Sequence, residues 1–164
     1  MIASDSGSAG RFRFLATYLA GRPVGVSEAR AGEAAHTDGR FVFVSAGRAA
    51  SEQRREVLVQ SALLGAGSLD HALVRALRGR PKVARRYLAL EGRRVLAELT
   101  ARIPLAATLR PEGEPATSTA DESLQLARGR RTVAEPPDWF GVIRPFRLLG
   151  APAGGPPSDV FATP

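Results

Sequence analysis

The chain contains no cysteine, which excludes disulfide scaffolds, Cys-ligated zinc and thiol nucleophiles. Two histidines, His36 and His71, are too few for a metal site built from histidine alone. Aromatic residues are scarce at 6%, so a core must come mainly from Leu, Val and Ala. Lysine is almost missing: Lys82 is the only one, and the remaining bases are arginines. No stretch approaches the ~20 continuous apolar residues that a bilayer span needs. Met1 to Ser8 is polar, without the basic start and apolar run of a secretory signal. The expected location is therefore the cytoplasm.

What is present suits one folded domain. The chain has 164 residues, 44% apolar and 24% charged, within the range of a globular unit. Residues 1–9 read as a disordered start, 10–150 as the domain, and 151–164 as a Pro/Gly-rich linker or tail. The formal charge is +7 with an isoelectric point near 11.2, and it is unevenly spread. Nine bases face two acids, Glu91 and Glu98, between Arg75 and Arg102, and the rest of the chain is neutral. A skew toward arginine fits bidentate recognition of anions. It also fits the coding bias of a GC-rich genome, as does the abundance of Ala and Gly.

Helical spacing dominates. Phe14, Leu15, Tyr18 and Leu19 fall at i, i+3/i+4 and predict an apolar helix face ended by Gly21 and Pro23. Val24 to Val26 reads as a short strand, and Glu28 to Gly39 as a loop. Thr37-Asp38-Gly39-Arg40 is a turn opening onto Phe41-Val42-Phe43-Val44, a strand apolar on both faces that would pair with Val24–Val26 as a hairpin. A helix capped by Ser51 follows, with Val57, Leu58, Ser61 and Leu64 in its apolar stripe. Gly65-Ala66-Gly67 breaks it, and Ser68 caps the next, Leu69–Leu77. Pro81 opens a long helix to about Arg102, with Ala84, Leu88, Gly92, Val95, Leu99 and Ile103 within a wedge of roughly 100°. Arg94 should pair with Glu91 and Glu98. Thr119 and Glu122 form a capping box for a short helix to Arg128. Trp139 and Phe140 mark the Pro136–Pro145 stretch as a structural strap folded back on the helices.

Catalytic and metal-binding residues are both expected to be none. A zinc peptidase needs two histidines one helical turn apart and a glutamate base, whereas the comparable helix reads Glu56-Val57-Leu58-Val59-Gln60-Ser61-Ala62-Leu63-Leu64. No Gly-x-Ser-x-Gly elbow occurs, and His36 and His71 read as surface or capping residues. Gly65-Ala66-Gly67-Ser68 lacks the Gly-Lys-Ser/Thr of a phosphate loop and reads as a helix–helix turn. Asp121-Glu122-Ser123-Leu124-Gln125 approaches the Asp-x-Ser-x-Ser of a metal-ion adhesion site but lacks its last serine and falls in a helix. The basic segment has two readings. Arg78, Lys82, Arg86 and Arg93 form a solvated face or a surface for an acidic protein partner; alternatively the segment neutralises nucleic-acid phosphates.

Several segments together carry a family likeness: Leu19-Ala20-Gly21-Arg22-Pro23-Val24, His36-Thr37-Asp38-Gly39-Arg40-Phe41-Val42-Phe43-Val44, the run from Val57 to Leu69, Arg78 to Gly92, and Pro137-Asp138-Trp139-Phe140-Gly141-Val142-Ile143-Arg144-Pro145. In this order they resemble the region ahead of the von Willebrand factor A domain in nitric-oxide-reductase activation proteins, relatives of a cobaltochelatase subunit. The resemblance covers about residues 12–150 and does not include the A domain itself. It implies a cytoplasmic accessory protein that works with a MoxR-type AAA+ ATPase to mature or activate a metalloenzyme. It also implies a degenerate zincin-like arrangement, with a strand like Phe41–Val44 beside a helix whose metal positions are taken by Gln60 and Leu64.

The combined expectation is a mainly α fold with a small β element (α+β), about four or five helices plus a strand pair. Its function would be that of a non-catalytic interaction domain without cofactor, whose partner is an AAA+ ATPase or a von Willebrand factor A domain. Nucleic-acid binding through the basic helix and an inactive peptidase relic are the alternatives.

Overall fold

The computed structural model describes residues 9–109 and 114–150; of the start expected to be disordered, 1–9, only Ala9 is described, and it is buried in the core, while the tail at 151–164 lies outside the described residues. The architecture is mainly helical with a three-stranded sheet. In chain order it comprises α1 (Arg13–Ala20), β1 (Gly25–Glu28), β2 (His36–Thr37), β3 (Phe41–Val44), α2 (Ala50–Gly65), α3 (His71–Leu77) and α4 (Pro81–Arg102). A 3₁₀ turn (Pro104–Leu109), α5 (Ala120–Arg128), a second 3₁₀ turn (Asp138–Phe140) and α6 (Pro145–Leu149) follow. No helix among the described residues is long and apolar enough to cross a membrane.

The sheet differs from the expected hairpin. Its order is β1-β3-β2, with β1 parallel to β3 and β2 antiparallel to it. The connection read as a loop thus supplies a strand, and at two residues it is too short to show any alternation. The Thr37–Arg40 turn is built as its residues suggest. Asp38 Oδ1 accepts the backbone N–H groups of Arg40 and Phe41, each at 2.8 Å, and Thr37 Oγ1 donates to the Phe41 carbonyl at 2.6 Å. Val42 and Val44 are fully buried on the face toward α2. Phe41 and Phe43 take the other face, where Phe41 stays 43% exposed. That face is therefore only partly covered.

α2 is the central helix, buried without interruption from Glu56 to Leu64. It begins at Ala50 with Ala49 at the N-cap, so Ser51 lies in the first turn instead of capping it. The face of α1 is rotated from the one its spacing suggested: Ala16, Leu19 and Ala20 are buried, while Phe14 and Tyr18 are 77% and 65% exposed. The cause lies across the contact. A Cβ on Gly65 would sit 2.0 Å from the Leu19 carbonyl oxygen, so α1 and α2 meet backbone to backbone, and only small side chains fit beside that approach. Gly21, left-handed at φ 72°, ends α1 and donates its N–H to the Thr17 carbonyl.

The main core joins α1, the sheet, α2, α4 and the strap. Phe140 is fully buried within it against Gly92, where a Cβ would meet the ring at 2.3 Å. A second cluster of Leu77, Ala84, Tyr87, Leu90, Leu124 and Ala127 seals α3, α4 and α5 together. The strap departs from a purely extended form, since it includes the Asp138–Phe140 turn and runs into α6. At the start of α5, Thr119 Oγ1 accepts from Glu122 N at 3.1 Å. The return bond reaches the Ser118 N–H, at 2.6 Å, one residue before the usual position.

Candidate functional site

The four basic residues singled out on and just before α4 divide into two pairs. Arg78, just before the helix, and Lys82, in its first turn, are exposed. Arg86 and Arg93 are half-buried and engaged. Arg86 donates to the carbonyls of Leu126, Ala127, Gly129 and Arg131, satisfying the free C-terminal carbonyls of α5 with a cation at the negative end of its dipole. Arg93 donates to the carbonyls of Ala89, Ala134 and Glu135, and burial lowers its pKa. These two are staples between α4 and the 126–135 segment. Amphipathic spacing cannot distinguish a solvated arginine from one covered by a later stretch of chain.

By holding that segment down, Arg86 also brings further cations alongside. Arg128, Arg130 and Arg131 are exposed next to the end of α5, and Arg75, Arg78, Arg80 and Lys82 are exposed around the α3–α4 turn. Arg85, also on α4, is paired with Glu135 at 2.5 Å. The one aromatic of the basic Arg75–Arg102 stretch, Tyr87, is buried and donates its hydroxyl to the Ser68 carbonyl at 2.6 Å. Burial pushes its pKa above the ordinary value, with nearby Glu91 adding to the effect.

The buried acids are likewise committed. Glu91, fully buried on α4, accepts from Ser68 Oγ at 2.7 Å, Ser123 Oγ at 2.6 Å, and Arg94 Nε and Nη2 at 2.7 Å each. Arg94 reaches Glu98 with its other terminal nitrogen at 3.1 Å, and its pKa is raised chiefly by the hydrogen bond to Glu91. This draws Ser68 inward, and α3 consequently starts at His71 with Asp70 as its N-cap, where Ser68 had been expected to cap. Ser123, from the sequence that approached an adhesion motif, also points inward. On α2, Glu56 accepts from Ser45 N at 2.8 Å and Ser45 Oγ at 2.6 Å. Gln60 donates to the Phe140 carbonyl at 2.7 Å. No group of three or more His, Asp or Glu side chains placed to hold a metal ion occurs among the described residues.

A cluster that sequence reasoning missed lies at the partly covered sheet face. A cavity of about 360 Å³ is lined by Glu28, Ala29, Arg30, Glu33, Phe43, Arg144 and Arg147. His36 is fully buried beside it, stacked on Phe43 with ring centroids 5.0 Å apart. Its Nδ1 donates to the Ala34 carbonyl at 2.9 Å, leaving Nε2 to accept from the Arg147 guanidinium. Burial, more than any other cause, lowers the His36 pKa, and Arg144 and Arg147 lower it further. Arg147 also lies 5.0 Å over the Phe43 ring. Residues 28–33 and 144–147 share no motif; they meet because the strap returns to the sheet edge, where Val142 N donates to the Ala35 carbonyl at 2.8 Å. His71, on α3, takes no part.

Comparison with family models, with curated proteins and with solved structures finds no match.

Proposed function

We propose that the chain is a non-catalytic interaction domain, an accessory module working with a MoxR-type AAA+ ATPase, alone or through a von Willebrand factor A domain, in metalloenzyme maturation or activation. The observation that carries the reading is the division of its polar groups. Of the buried side chains that hydrolytic or metal chemistry would call on, Glu56 and Glu91 have both carboxylate oxygens, and Gln60 its amide nitrogen, engaged in hydrogen bonds that join one element to another. The exposed cations around the α3–α4 turn and the end of α5 form a surface suited to an acidic protein patch. The order of family-like segments supplies the ATPase as the partner class.

Affinity capture from the source organism with the whole chain as bait, followed by mass spectrometry, tests this. Recovery of a MoxR-type ATPase is expected; recovery of nucleic acid alone would overturn the reading. Elemental analysis should find no stoichiometric zinc, and a metal-to-protein ratio near one would contradict a non-catalytic role.

The same exposed cations favour nucleic-acid binding as a second reading, one that requires a steep salt dependence. Raising salt from about 50 to 200 mM should weaken a phosphate-based complex ~10³-fold or more. A third reading, the inactive peptidase relic, draws on β3 packing against α2, with Gln60 and Leu64 one turn apart on that helix.

A further inference from the structure

The Arg30–Arg144–Arg147 cavity has no part in that proposal and differs from the exposed bases near the α3–α4 turn in kind, being concave and lined by apolar as well as charged side chains. Three guanidinium groups line it against two carboxylates, and both carboxylates already serve other donors. Glu28 Oε2 accepts from Gln53 Nε2 at 3.1 Å. Glu33 Oε1 accepts from Arg30 N at 3.2 Å, a bond that does most to hold its pKa below the usual value. The nearest approach of Glu33 to Arg144 is 3.8 Å, from Oε2 to Nη2, too long for a hydrogen bond. Arg144 Nε is buried and has no hydrogen-bond partner. That N–H is covered by protein, but the Arg144 side chain as a whole stays 39% exposed, which leaves the rest of its guanidinium to line the cavity. Arg147 is held in place by the Phe43 ring and His36, so one binding group is oriented in advance. Phe43 and Ala29 add an apolar wall, and the volume falls in the small-molecule range.

We infer that this cavity binds the oxyanion of a small organic acid or phosphate ester, with Arg144 and Arg147 as the principal donors and Phe43 beside the ligand's apolar body. Guanidinium suits both chemistries, since each presents paired oxygens to its planar fork. His36 helps because its neutral ring accepts from Arg147 and adds no competing charge. Glu33 opposes binding, because its carboxylate is the anion nearest Arg144.

Isothermal titration of the whole chain with benzoate and, separately, phenyl phosphate tests this, with sodium chloride at matched ionic strength as the control. Saturable binding of either probe is expected, and whichever binds more tightly identifies the ligand chemistry. Arg144→Gln should weaken that binding about tenfold or more, the effect of losing a charge-assisted hydrogen bond. Glu33→Gln should tighten it about threefold by removing a nearby like charge. These opposite signs separate ligand contact from general destabilisation, which would weaken binding in both variants. No heat beyond the chloride control with either probe, or equal affinity in the wild type and both variants, would overturn the inference.

Discussion

Replacing Glu91 with glutamine keeps the side chain's shape and removes its charge, in a place where no solvent can compensate. Each carboxylate oxygen accepts two bonds, one from a serine hydroxyl and one from Arg94. A glutamine amide must turn its NH₂ group toward one of those pairs. The serine can rotate its hydroxyl to accept, but the guanidinium only donates. Arg94, 10% exposed on its side chain, then keeps one bond to the amide oxygen and has Glu98, at the solvent edge, as its remaining counter-charge. Breaking a buried pair from one side costs about 3–5 kcal/mol, a large share of the roughly 5–15 kcal/mol that holds a domain folded. The expected loss in Tm is about 10 °C. Thermal unfolding followed by circular dichroism measures that shift and urea unfolding the free energy, with Ser68→Ala and Ser123→Ala each expected to lose about 1.5–3 kcal/mol. The double variant Glu91→Met/Arg94→Met should lose less than the sum of Glu91→Met and Arg94→Met, because replacing both partners removes the stranded charge. A loss below about 1 kcal/mol for Glu91→Gln, or a double variant at the sum of its singles, would refute the reasoning.

Three further outcomes follow from the packing and the titrating groups. Gly65→Ala places a methyl against the Leu19 carbonyl and should cost about 3 kcal/mol or more, the upper range for overpacking, whereas Gly10→Ala, where the site is open, should cost less than 1 kcal/mol in the same urea assay. Ser61→Ala should leave stability unchanged or raised, since the buried Ser61 hydroxyl has no hydrogen-bond partner. His36 has a folded pKa below its ordinary 6.5, so the unfolded chain binds the extra proton first. Its contribution is complete above pH 6.5 and is lost as pH falls through that value toward the folded pKa. Glu33, also lowered, begins to act only below its ordinary 4.5. Unfolding free energy between pH 7.5 and 5 should therefore decline in the wild type and flatten in His36→Gln; parallel curves would contradict the assignment.

The elements with strong local signals were legible from the chain. The Asp38 turn opens β3, Pro81 starts α4, and Thr119 with Glu122 starts α5 because each relies on contacts within a few residues. What stayed hidden depended on partners distant in sequence. α1 buries alanines in preference to Phe14 and Tyr18 because Gly65, more than forty positions on, brings the two backbones together. Ser68 left its capping role for Glu91, twenty-three residues away. Arg86 and Arg93 look like solvated bases until residues 126–135 fold over them. The His36–Arg147 contact spans 111 positions and arises only when the strap reaches the sheet. Hydrophobic period and capping chemistry report neighbours along the helix or strand; they carry no record of which later segment will close the surface.

The central claim is that the exposed bases at the α3–α4 turn form the partner surface while the engaged bases hold the fold. The most direct measurement is the affinity of a MoxR-type ATPase, the proposed partner, for the wild-type chain and for Arg78→Glu/Lys82→Glu, two positions whose side chains are exposed. The account predicts at least a tenfold loss of affinity with the unfolding midpoint unchanged. Undiminished affinity in a folded double variant would contradict it.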